Sequence, residues 1–134
     1  QRLWALLISN KADNKIMGLQ GMRYLGTDEA ENALEAILVV DDEQTRLYPE
    51  IRLYAAQQLG KMGNKSGKGY IQEYFTQIRP LLSTNDAERA DSIAAVAIGY
   101  IGDMELAKYL PKMIRSNNKD LRLRAAEAVL LLED

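Results

Sequence analysis

At 134 residues, with 47% hydrophobic and 27% charged side chains, the chain has the composition of a soluble globular protein, with room for one core and too little for two ordinary domains. It contains no cysteine and no histidine, which excludes disulfides, thiol nucleophiles, imidazole acid–base catalysis and nearly every zinc or iron site built on those side chains. A net charge of −2, with Lys and Arg scattered among the acids, offers no basic stripe for a nucleic-acid backbone.

In chain order, Leu3, Trp4, Leu6, Leu7 and Ile8 read as a short apolar helix. Ala12 to Leu25 reads as a second, stopped by Gly26,. Thr27 is the expected cap of a third helix with Ala33, Leu34, Ile37, Leu38 and Val40 on its buried face,. Asp41 to Pro49 is polar and reads as a loop; its acidic run Asp41-Asp42-Glu43 lacks the alternating oxygen spacing and the glycine of a calcium loop,. Glu50 to Gly63, entered through Pro49, is the clearest helix of the chain. Asn64 to Gly69 reads as a flexible linker, since it has neither the spacing nor the preceding strand of a nucleotide loop,. Tyr70 to Leu82 follows as a helix whose last turn Pro80 should kink or shorten,. Ser83 to Asp86 is a turn before the helix Ala87 to Ile101, ended by Gly102. Asp103 then caps Met104 to Ile114, interrupted by Pro111, and Lys119 to Leu132 closes the chain. No segment alternates as a strand does, and no apolar run approaches the ~20 residues of a membrane span.

Gly26, Gly63 and Gly102 stand 37 and 39 residues apart, and Glu133 takes the fourth position 31 residues further on. With those positions aligned, Gly18, Ala55, Ala94 and Ala125 form a small column, followed by Leu19, Ala56, Ala95 and Ala126. Met22, Leu59, Ile98 and Val129 form an aliphatic column, and so do Leu25, Met62, Ile101 and Leu132. Small residues placed ahead of large ones let helices lie close together. A generic helical bundle explains Ala-rich faces but does not require recurring end glycines.

The segment Ile51-Arg52-x-x-Ala55-Ala56-x-x-Leu59-Gly60-x-Met62-Gly63 is similar to the second helix of HEAT repeats, particularly the short bacterial type first associated with phycobilisome lyases. Leu121-Arg122-x-x-Ala125-Ala126-x-Ala128-Val129 matches it too, and Gly102 to Ala107 looks like the family's link into the next first helix. The resemblance implies an all-α fold: a right-handed α-solenoid of about four HEAT-like helix pairs in a single domain, 1–134, with repeats at about 1–26, 27–63, 64–102 and 103–134. The family's arginine position holds Lys15 in the first pair and Asp91 in the third, so the usual Asp–Arg ladder between repeats is expected to break there.

The resemblance also implies that second helices line a concave face. Reading outward columns at 100° per residue gives Ile16/Leu53/Ser92/Leu123, Met17/Tyr54/Ile93/Arg124, Gln20/Gln57/Val96/Glu127 and Tyr24/Lys61/Tyr100/Leu131. The candidate partner-binding residues are Met17, Tyr24, Leu53, Tyr54, Gln57 and Lys61, with Ile93, Val96 and Tyr100. Tyr and Met are favoured at interfaces. Curvature, or packing between neighbouring second helices, is the competing explanation for these side chains.

Relatives of this repeat type include bilin lyases, an iron hydroxylase with His-Glu metal pairs, and DNA glycosylases with a basic concave face. The missing histidine removes the hydroxylase reading, and no serine or threonine has a base to activate it,. The expectation is a non-catalytic protein–protein interaction scaffold with no catalytic, cofactor or metal residues and no cofactor, binding a protein or peptide partner. Its alternatives are a component of a bilin lyase-type enzyme or, less favoured, a nucleic-acid-binding HEAT-like protein. The apolar ends, around Trp4 and at Leu130-Leu131-Leu132, suggest self-association or a chain cut from a longer array. A start at Gln1 reads as a fragment or a processed product. The cytoplasm is slightly favoured, with the periplasm open if a signal segment preceded Gln1.

Overall fold

A computed structural model describes residues 28–40 and 48–133. It places α1 at Asp28–Val39, α2 at Glu50–Lys61 and α3 at Lys68–Glu73, which continues as a π-helical turn, Tyr74–Ile78, and a 3₁₀ turn, Arg79–Leu81. Then come α4 at Thr84–Ile101, a 3₁₀ segment at Met104–Tyr109, α5 at Leu110–Ile114 and α6 at Lys119–Glu133. Every regular element among the described residues is helical. The expected helices before Thr27, the stop at Gly26 and the acidic run at 41–43 lie outside the described residues.

Local chemistry accounts for the boundaries. Pro49, at φ −60, sets the entry of α2,. At its exit Gly63 is left-handed, with φ 83. The Asn64 N–H reaches back to the Leu59 carbonyl (2.8 Å) and the Gly63 N–H to that of Gly60 (3.0 Å), a Schellman closure that only a residue tolerant of positive φ completes cheaply. Gly102 ends α4 in the same conformation, φ 73, donating to the Ile98 carbonyl at 3.1 Å. α4 starts three residues earlier than the sequence implies. Ser83 stays extended and its hydroxyl accepts the Asp86 N–H (3.2 Å), so Thr84 to Asp86 form the first turn rather than a preceding one,.

The other two prolines act differently. Pro80 has no N–H for the Thr76 carbonyl and its ring crowds that turn, so α3 widens into a π turn and then tightens into a 3₁₀ turn instead of finishing as an α-helix,. Pro111 falls in the first turn of α5, where an unpaired N–H is ordinary, so it begins a helix rather than interrupting one,. Asn118 caps α6: its side-chain oxygen accepts the Leu121 N–H at 3.0 Å. Asn118→Ala is expected to lower stability by about 1 kcal/mol, read as a lower urea midpoint with an unchanged slope.

α4 is the centre of the packing, with α2 on one side and α6 on the other. Ile51, Ala55 and Leu59 of α2 close over Leu34 of α1 in one cluster. Leu53 and Ala56 belong to a second, which runs through Ile71 and Tyr74 to Ile98, Leu106 and Leu110. Each fully buried Leu or Ile contributes about 1.5–3 kcal/mol of transfer free energy.

Asn64 to Gly67 is not a loose linker. The Asn64 amide donates to Glu31 (3.0 Å) and Glu35 (3.4 Å), and the Ser66 hydroxyl to Glu35 (2.8 Å). Lys68 then bridges Asp103 (2.7 Å) and Glu105 (3.1 Å). The loop is a junction tying α1 to α2 and the start of α3 to the link after α4.

The column of Arg52, Asp91 and Arg122 behaves unevenly. Arg52 is buried, 3.9 Å from Glu73 and stacked over the Tyr70 ring at 5.3 Å. On α4 the sign is reversed. Asp91 is 1% exposed and accepts the Tyr74 hydroxyl (2.8 Å) and a two-pronged contact from Arg79, both nitrogens at 3.0 Å. The ion pair there is local to the π-bulged helix and α4.

Candidate functional site

Three helices project matching stripes into one groove. From α2 come Glu50, Tyr54, Gln57 and Lys61; from α4, Arg89, Ile93, Val96 and Tyr100. From α6 come Asp120, Arg124, Glu127 and Leu131. Each of these sets has spacing i, i+4, i+7, i+11, which keeps its members within about 60° of arc on a helix; Glu88 and Ser92 of α4 and Ala128 of α6 line the groove beside them. The groove encloses about 630 Å³, in the range of clefts that hold a small molecule or several side chains.

The stripes give the groove a graded character. Glu50, Arg89 and Asp120 make a charged row at one end, and Asp86 already holds Arg89 in an ion pair along α4. In the next two rows Tyr54, Ile93 and Val96, all half-buried, form an apolar middle, and Gln57 is nearly buried on the floor. Arg124 and Glu127 face them from α6, where Arg124 lies 3.7 Å from both Asp120 and Glu127. At the far end Tyr100 and Leu131 are 42% and 37% exposed, and Lys61 stands 5.3 Å over the Tyr100 ring. Acids and bases alternate, so no single-sign field favours a polyanion.

Burial, reinforced by the Glu50 carboxylate, pushes the Tyr54 hydroxyl above its ordinary pKa; Arg124, across the groove, pulls the other way. Tyr54 is therefore a neutral hydrogen-bonding group at neutral pH rather than a phenolate. The Ser92 hydroxyl is engaged with its own helix, donating to the Glu88 carbonyl at 3.1 Å. The chemistry on offer is apolar contact and polar pairing along a channel.

Of the nine sequence-predicted site residues, the groove brings together Tyr54, Gln57, Lys61, Ile93, Val96 and Tyr100. Met17 and Tyr24 lie outside the described residues. Leu53 does not belong to the groove. It is fully buried, inside the core cluster it shares with Tyr70, Ile71 and Tyr74. It sits about 70° round α2 from the centre of the stripe, on a side that other helices cover. Of the Leu53, Ser92 and Leu123 row only Ser92 lines the groove; the row that faces it from all three helices is Glu50, Arg89 and Asp120, three residues earlier. Extending each stripe one turn backward finds these residues; a search for apolar side chains passes over them because they are charged.

A second cavity, about 480 Å³, opens elsewhere on the molecule beside Phe75, Tyr109, Arg79 and Lys112. Phe75 and Tyr109 stack at 4.3 Å with an 8° interplanar angle, and Lys108 lies 5.3 Å from the Tyr109 ring centroid. Nothing in the sequence periodicity singles it out, since the stacked pair joins two segments that are not regular α-helix. Among the described residues no group of three or more Asp and Glu could hold a metal ion, and no helix is long and apolar enough to cross a membrane.

Compared with known proteins, the chain matches no family, no curated protein and no solved structure.

Proposed function

We propose that this chain is a non-catalytic protein–protein interaction scaffold, a right-handed α-solenoid of HEAT-like helix pairs that holds a polypeptide segment along its concave helical face. The pairs are α1 with α2, α3 with α4, and the 3₁₀ segment and α5 with α6. A fourth pair at about 1–26 belongs to the same reading. The observation that carries it is the common i, i+4, i+7, i+11 stripe that α2, α4 and α6 each turn into one groove. Three helices of different sequence, presenting the same register to the same channel, are what a stack of repeats produces. An apolar middle of Tyr54, Ile93 and Val96, continued by Tyr100 at the far end and flanked by charged side chains, is the composition of a binding surface with a desolvated centre and a polar rim,.

The partner is a peptide or an exposed protein segment with an apolar or aromatic core. Selection of a phage-displayed peptide library on the purified chain should enrich such sequences. The double variant Tyr54→Glu, Tyr100→Glu should weaken their binding by about a hundredfold, because one carboxylate enters the apolar middle and the other removes the aromatic face at the groove's far end,. Circular dichroism should stay unchanged, since neither side chain is fully buried. Lys112→Glu, in the other cavity, is the control and should bind as wild type. No enrichment, or equal binding by the double variant, sinks the proposal.

A further inference from the structure

The outward face of α6 carries positions that, Ser92 apart, the other two second helices bury. By the repeat offsets of 31 and 39 residues, Leu123, Ala126 and Leu130 correspond to Ser92, Ala95 and Gly99 of α4 and to Leu53, Ala56 and Gly60 of α2. Leu53, Ala56 and Ala95 are fully buried. Gly60 faces Tyr100 and Ile101 of α4 so closely that a Cβ would lie 3.1–3.3 Å from them, and a Cβ on Gly99 would lie 2.8–3.4 Å from Leu131 and Ala128 of α6. On α6 the same face is open: Leu123 is 54% and Leu130 64% exposed, and Ala126 is exposed as well.

What covers it is indicated by two features of the stripe. First, Leu130 stands where α2 and α4 have the glycine that admits the next helix, so a further helix cannot approach α6 in the same close way. Second, the stripe is symmetrical about Ala126. Lys119, Leu123, Ala126, Leu130 and Glu133 all point the same way, at steps of four, three, four and three residues, and all are exposed,. Turned end for end against itself, this stripe sets Leu123 on Leu130, Ala126 at the crossing, and Lys119 beside Glu133 at both ends. Arg122, on one flank, also comes near Glu133 of the other copy; Glu127, on the other flank, is already paired with Arg124. A surface that is complementary to its own two-fold image is the requirement for an isologous dimer.

We propose that α6 docks on α6 of a second copy, antiparallel and two-fold symmetric, through Lys119, Leu123, Ala126, Leu130 and Glu133. The stripe is about 21 Å long, and a single helix pair buries less than a standard stable interface. The dimer is therefore weak and concentration-dependent. The groove stripe of α6 lies about 110° away round the helix, so both grooves remain accessible. This inference does not depend on what the groove binds.

The test is sedimentation equilibrium on the full chain from micromolar to near-millimolar concentration at low salt, where end-to-end charges act most strongly. A reversible monomer–dimer equilibrium is expected. Leu123→Glu and Leu130→Glu should each weaken it by about tenfold or more; both positions are exposed, so helicity should be unchanged. Lys119→Glu alone and Glu133→Lys alone should each weaken dimerisation several-fold, because each places like charges at both ends. The double reversal should restore it. A monomer at every concentration, a dimer indifferent to the leucine changes, or a double reversal that fails to restore association would each overturn the proposal.

Discussion

Replacing Gly99 with valine should destabilise the fold by about 3 kcal/mol, and even Gly99→Ala should lower stability rather than raise it. Helix propensity alone predicts the opposite, since alanine in a helix interior is favoured over glycine by about 1 kcal/mol. Packing decides the sign. A Cβ at Gly99 would lie 2.8 Å from a terminal methyl of Leu131 and 3.0 Å from the Cα of Ala128. Leu131 is partly exposed and can swing away, but Ala128 is backbone, so α6 as a whole must retreat from α4. Its retreat disturbs contacts of Leu121, Ala125 and Ala128, all buried in the main core cluster. At Gly60 the corresponding contacts are 3.1–3.3 Å, to the Cβ and backbone of Tyr100 and to Ile101, so Gly60→Ala should cost less than Gly99→Ala. Urea unfolding followed by circular dichroism measures all three variants. A neutral or stabilising Gly99→Ala would show that α4 and α6 are not held at the separation described. Tyr100 and Leu131 both line the groove, so a destabilised Gly99 variant should also weaken the peptide binding proposed for it, in proportion to how far the helices separate.

The contrast between Gly99 and the rest of the chain shows where sequence reading succeeds. Helix content was legible because apolar residues recur at three- and four-residue steps, a property of each segment on its own. The left-handed ends at Gly63 and Gly102 were legible for the same reason: the stop signal is local. The tilt of each helix about its axis is not local. It depends on how many sides of the helix are covered, and α2 is covered on more sides than α6. Leu53 is therefore core while its counterpart Leu123 lies open. The polar pairs were invisible because they carry no period. Asn64 with Glu31 and Ser66 with Glu35 lie 33 and 31 residues apart in sequence. The π turn at Tyr74 to Ile78 was half legible: Pro80 announced a defect, but whether the helix kinks, shortens or widens depends on what its side chains meet on α4.

One of those meetings gives the second large effect. Asp91→Ala should cost about 1–3 kcal/mol, because it leaves the fully buried Tyr74 hydroxyl with only the Ala87 carbonyl at 3.4 Å in place of the carboxylate at 2.8 Å,. Arg79 contributes less to the loss, since its side chain is 43% exposed and its guanidinium can turn to water,. Asp91→Asn should be far milder: it keeps an oxygen for Tyr74 and removes a buried charge. Burial pushes the Asp91 carboxyl above its ordinary pKa, and the Tyr74 hydrogen bond and the Arg79 charge pull it only part of the way back,. The folded chain thus holds this proton more tightly than the unfolded chain does. Its contribution to stability is complete below the unfolded value of about 3.9 and is lost as the pH rises through the folded value. The stability of the wild type relative to Asp91→Asn should accordingly increase as the pH is lowered from neutral to about 4, measured as the difference between their urea midpoints. If the relative stability of the wild type instead falls on acidification, the Arg79 ion pair, not burial, controls the carboxyl, and Asp91 is a stabilising charge.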